Sequence, residues 1–137
     1  MTAVLCAAIF NLIVIELNIF DRRKFMMEDF IGYLTQQIGS GKEDITRLEK
    51  EERKDEADFV KVRTNIYEVC KTVTNALAQR PGMGLEAVSA RFDGFRKTWG
   101  EALDKAREHG DTRNIVIGET KLEVLEDVIA HFAEVAK

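Results

Sequence analysis

Three long stretches of this chain keep apolar residues at alternating spacings of three and four, the repeat of helices that pack side by side at shallow angles. One runs Ile45, Leu48, Glu52, Asp55, Phe59, Val62, Ile66, Val69, Val73, Ala76. A second runs Leu85, Val88, Phe92, Phe95, Trp99, Ala102, Ala106, and a third Ile115, Gly118, Leu122, Leu125, Ile129, Phe132, Ala136. Strands alternate with period two and cannot hold such a stripe on one face. The expected class is all-α, an up-down four-helix bundle.

Punctuation divides the helices. Gly39-Ser40-Gly41-Lys42-Glu43 combines a glycine stop with a Ser-x-x-Glu capping box, in which Ser40 accepts from the Glu43 amide. Arg80-Pro81-Gly82 ends a helix because the residue before a proline avoids the α region. His109-Gly110-Asp111-Thr112 pairs a left-handed glycine with an N-capping side chain. The expectation is a single domain, residues 1–137, with helices at about 3–38, 42–80, 85–109 and 114–137. The first two would be ~55 Å long and the last two ~35 Å, at ~1.5 Å per residue. A bundle of residues 3–22, 59–80, 85–109 and 114–137 then leaves 23–38 and 42–58 as a long N-terminal helical hairpin projecting from it. The charged run 49–58, with Glu52 and Asp55 at heptad core positions, marks where that core stops.

The 137 residues suffice for one self-sufficient core, and 45% hydrophobic with 32% charged residues is the make-up of a folded protein. A net charge of −4 argues against a broad nucleic-acid face, which needs a basic surplus. Cys6 and Cys70 form neither a disulfide framework nor a CxxC pattern, which favours reduced thiols and a cytoplasmic setting. With a hairpin turning at 39–41 the two lie at nearly the same height, and both are expected to be buried.

Residues 3–20 are apolar apart from Asn11, Glu16 and Asn18, and Asp21-Arg22-Arg23-Lys24 follows. The preferred reading is the most buried helix of the bundle, mostly apolar with one narrow polar stripe through Asn11, Asn18, Arg22 and Asp29. The alternative is a membrane anchor, short and carrying a carboxylate, with the basic cluster on its cytoplasmic side. A third reading starts the native chain at Met26 or Met27.

Each candidate for chemistry has a plainer explanation. Gly39-Ser40-Gly41-Lys42 lacks the flanking residues and preceding strand of a phosphate loop. No Glu-x-x-His pair of the di-metal bundles is present; His131 reads as a core-boundary histidine, and His109 as a favourable charge at a helix end. Glu51-Glu52-x-x-Asp55 with Glu101-x-x-Asp104 resembles in form the paired acidic motifs of all-α nucleotide pyrophosphohydrolases, which would imply a Mg²⁺-dependent hydrolase. Basic residues interleave those acids, however, and ion-paired helix faces account for them. On the third helix, Arg91, Arg96, Lys97, Lys105 and Arg107 match the acidic surplus of the fourth. No catalytic residue, metal ligand or cofactor is therefore assigned, and an enzyme is not the preferred reading.

The favoured function is a non-enzymatic interaction module. Met27, Phe30, Ile31, Leu34 and Ile38, opposed only by Ile45 and Leu48, leave more apolar surface on the arm than two helices can bury. The expected partner is a second copy, giving a homodimer or larger oligomer, or another protein. No nucleic acid is expected, and a membrane is the less favoured alternative.

Overall fold

The computed structural model describes residues 2–80 and 84–136, with side chains described at 6–14 and from 22 onward within those ranges. Its helices are α1 (Thr2–Lys50), α2 (Lys54–Ala78), α3 (Leu85–Glu108) and α4 (Thr112–Val135). The chain is all-α among the described residues, as the heptad stripes require.

The first turn is not where the glycines are. Residues 39–41 lie inside α1, and the expected break and capping box are absent. At Gly41 a β-carbon would sit 2.1 Å from Thr64 Oγ1, whereas at Gly32 and Gly39 it would meet nothing within 4 Å. Gly41 therefore lets α2 approach α1 closely; it does not end a helix. The chain reverses twelve residues later, at Glu51-Glu52-Arg53. There the Glu52 amide donates to the Glu49 carbonyl (3.1 Å) and the Arg53 amide to the Leu48 carbonyl (2.9 Å), with Glu52 at φ 59°. That pair of bonds around a left-handed residue is a Schellman C-cap. α3 ends in the same motif at Gly110 (φ 62°), where Gly110 donates to Arg107 (3.2 Å) and Asp111 to Ala106 (2.9 Å). Asp111 then caps α4 by accepting from the Asn114 amide. The break at 109–112 stands where the sequence puts it. Pro81 falls outside the described residues, between the end of α2 and the start of α3.

Side-chain pairs set the helix directions. Lys42–Glu68 (3.6 Å) and Glu49–Lys61 (2.8 Å) run antiparallel between α1 and α2. Arg63–Glu123 (3.3 Å) and Tyr67–Asp127 (3.1 Å) run parallel between α2 and α4. Arg96–Glu126 and Arg107–Glu119 run antiparallel between α3 and α4, as the charge match of the two helices predicts. The Arg96 guanidinium holds Glu126 through two bonds, at 2.6 and 2.9 Å. All four helices feed one core: Phe30 and Leu34 from α1, Ile66, Tyr67 and Cys70 from α2, Val88 and Phe92 from α3, and Val124, Leu125, Val128 and Phe132 from α4. Phe30, Phe92 and Phe132 meet pairwise, with centroids 5.0–6.1 Å apart.

Moving the turn to 51–53 changes which part of α1 is enclosed. Residues level with each other on α1 and α2 now have numbers summing to about 104, so Leu34 sits level with Cys70. The expected arm is thus the α1 wall of the core: Phe30 and Leu34 are fully buried and Leu48 is 4% exposed, while Met27, Ile31, Ile38 and Ile45 are half-buried. Burying a Phe or Leu stabilises by about 1.5–3 kcal/mol, so these residues hold the fold and are not spare surface. No hairpin projects. Cys70 is buried as expected, but Cys6 is exposed and lies roughly 42 Å further along the axis, at ~1.5 Å per residue. The expectation that the two thiols share one height fails with the misplaced turn.

Candidate functional site

Where α1, α2 and α4 meet, one carboxylate gathers two phenols. The Tyr33 and Tyr67 hydroxyls both donate to Asp127 Oδ2, at 2.8 and 3.1 Å. The His131 ring, one turn after Asp127, stacks on Tyr33 with centroids 3.5 Å apart. Burial, and then the bond to Asp127, pushes the Tyr33 phenol well above its ordinary range. Tyr67 is raised too, by burial and then the Asp127 charge. Both phenolic protons are engaged by the carboxylate, and the cluster ties three helices together. His131 is half-buried there, as a core-boundary histidine should be. Sequence spacing hides this cluster, because Tyr33 lies within the apolar arm and Tyr67 falls beside the heptad stripe.

The other candidates disperse. Gly39–Lys42 forms no loop, so a phosphate cradle has no backbone to build it. Glu51 is bonded to Arg53 (2.7 Å) and paired with Arg47 (3.5 Å), and the Arg53 bond first of all lowers its carboxyl below the usual range. Asp104 lies 3.9 Å from Arg107 on the same helix. Among the described residues no three of His, Cys, Asp and Glu gather as metal ligands. His109 holds the Lys105 carbonyl through Nδ1 (2.7 Å) at the end of α3.

What stands out lies at the start of α1. α2 ends at Ala78, level with about residue 26, so the first half of α1 runs on past its neighbour. Every described side chain there, from Cys6 to Val14 and from Arg22 to Phe25, is exposed. These include Phe10 (67%), Leu12 (61%), Ile9 (51%) and Phe25 (68%). The expected most-buried helix of the core is therefore the most exposed apolar segment described. Residues 6–14 cover about two and a half turns at ~3.6 residues each, with Asn11 as the one polar side chain. A helix apolar all round belongs against an apolar surrounding on every side. Arg22, Arg23 and Lys24 follow on the same helix, and Arg80 lies just beyond the end of α2. Among the described residues no helix is long and apolar enough to cross a membrane. No family model, curated protein or solved structure matches the chain.

Proposed function

We propose that this protein is a membrane-tethered helical module: an up-down four-helix bundle whose overhanging N-terminal half of α1, residues 3–20, inserts into a lipid bilayer. The observation that carries the reading is the exposure of every side chain from Cys6 to Val14, on a stretch of α1 that has left its own core behind. A protein partner would cover one stripe of such a helix; hydrocarbon covers all of it. Length supports the reading too, since the run in the sequence spans ~27 Å at ~1.5 Å per residue against a hydrocarbon thickness of ~30 Å. Each Leu, Ile, Phe or Val favours insertion by about 0.3–0.6 kcal/mol, while a carboxylate at the centre costs about 2.5–3.5 kcal/mol. Glu16 stands four residues from the basic end of the run, away from the centre where that cost is greatest. The cluster Arg22-Arg23-Lys24 supports a bundle on the cytoplasmic side, where loops next to a membrane helix carry an excess of Lys and Arg. The interaction role read from residues 27–48 gives way, because those residues hold the fold.

Cys6 supplies the test, being exposed in the overhang while burial pushes the Cys70 thiol up to about 12 and keeps it unreactive. A water-soluble maleimide should label one thiol per chain in dilute protein and none once phospholipid vesicles are added. Protection that rises with protein concentration and ignores vesicles would instead make a second copy of the chain the partner of the overhang. Labelling that vesicles leave unchanged would overturn the tether.

A further inference from the structure

The end of the bundle facing the overhang carries a groove of about 450 Å³ between α1, the end of α2 and the start of α3. Met27, Ile31 and Leu85 supply apolar walls, Arg23 and Lys24 line one rim, and the amide side chains of Asn75 and Gln79 line the other. Glu28 is the one acid on the lining. Arg22 precedes Arg23 on α1, and Arg80 follows Gln79 beyond the end of α2, both outside the lining.

Both ends of the molecule carry cations without an ion-pair partner among the described residues, Lys50 and Lys54 at the 51–53 turn among them. At the 51–53 turn Arg47, Arg53 and Lys61 are each held by acids: Asp44 and Glu51, Glu51 and Glu56, Glu49 and Asp58. At the overhang end, none of Arg22, Arg23, Lys24 and Arg80 has an ion-pair partner among the described residues. Arg23 and Lys24, beside a groove with apolar walls and amide side chains, match a molecule with an anionic oxygen-rich head and an apolar body. Guanidinium forks suit phosphate oxygens, and apolar walls suit acyl chains.

Resting on the tether reading, which puts this end against the bilayer, we propose that the groove and its cationic collar dock the headgroup of an anionic phospholipid. The tether would give attachment to any bilayer; the collar would select its lipid and set how the bundle sits on it. Juxtamembrane cations act on anionic leaflets over no more than a Debye length, so only those at this end contribute.

The experiment compares binding of the full chain to phosphatidylcholine vesicles and to vesicles that also contain phosphatidylglycerol. The wild type should prefer the anionic vesicles, and the preference should shrink as salt rises. Arg23→Gln, Lys24→Gln and Arg80→Gln should each reduce that preference roughly fivefold, with helix content and binding to neutral vesicles unchanged. The control is Lys50→Gln with Lys54→Gln at the opposite end, which removes two cations from the turn and should change nothing. If the control weakens the preference as much as the collar variants do, the effect is one of net charge and the groove has no part in it. Equal binding to both vesicle types would sink the headgroup site while leaving the tether standing. Absence of binding to either would remove the tether, and the headgroup site with it.

Discussion

Glu52 and Gly110 occupy the same position in the same capping motif, and only one of them announces it. Gly110 meets no steric penalty at φ 62°, whereas an L-residue with a β-carbon gives up about 1–2 kcal/mol in the left-handed region. Glutamate at this place carries no turn signal, so the reversal at 51–53 was invisible while the glycines at 39–41 advertised a false one. Replacing Glu52 with glycine should therefore stabilise the protein by about 1 kcal/mol, the steric gain being partly offset by greater freedom of the unfolded chain. The readout is a melting temperature higher by about 3–5 °C. An unchanged or lower melting point would mean that the Glu52 side chain contributes something that its backbone strain conceals.

Heptad spacing made the four helices legible but could not phase them against one another. α3 and α4 begin within two residues of the expected places because glycine and an Asp cap flank them. α1 and α2 were divided wrongly because Gly41 does a packing job that looks, in sequence, like a stop. Gly118 does similar work between α4 and α3, where a β-carbon would lie 3.1 Å from Leu103 Cδ1. The two neighbouring glycines of α1 should thus respond oppositely to the same change. Gly39→Ala adds a methyl to open space in a helix and should stabilise by about 0.5–1 kcal/mol. Gly41→Ala drives a methyl into Thr64 and should destabilise, by about 1–3 kcal/mol of overpacking less that propensity gain. Urea denaturation of the two variants compares them directly, and stabilisation by both would mean that α2 does not approach α1 closely at Gly41.

For the whole molecule, the all-α class was readable and the placement of the core along α1 was not. That placement and the functional reading are linked: apolar residues 27–48 look spare only if residues 3–22 fill the core, and Phe30, Leu34 and Leu48 are buried. The polar tie across three helices gives the folded state a distinct alkaline signature. Tyr33 and Tyr67 are the protein's two tyrosines, and both have raised folded values relative to about 10 in an unfolded chain. Their contribution to stability is complete below pH ~10 and is lost as pH rises beyond it, because the unfolded chain then releases phenolic protons that the folded one retains. In an alkaline titration, phenolate absorbance should appear together with loss of helical circular dichroism, in one transition. Phenolate forming near pH 10 while the helices persist would show the shared Asp127 bond to be absent in solution.

α1 passes from overhang to core as one uninterrupted helix, so rotation about its axis is conserved from end to end. Adding one residue between them would turn the overhang by about 100° relative to the bundle, and adding four would nearly restore the original phase. The described overhang offers nearly the same apolar surface in every direction and so has no preferred azimuth of its own. Arg23 and Lys24 do have one, because they line a single groove between α1, the end of α2 and the start of α3. In the proposed tether the overhang decides only the depth of the bundle, and the side that carries Arg23 and Lys24 decides which way it leans against the bilayer.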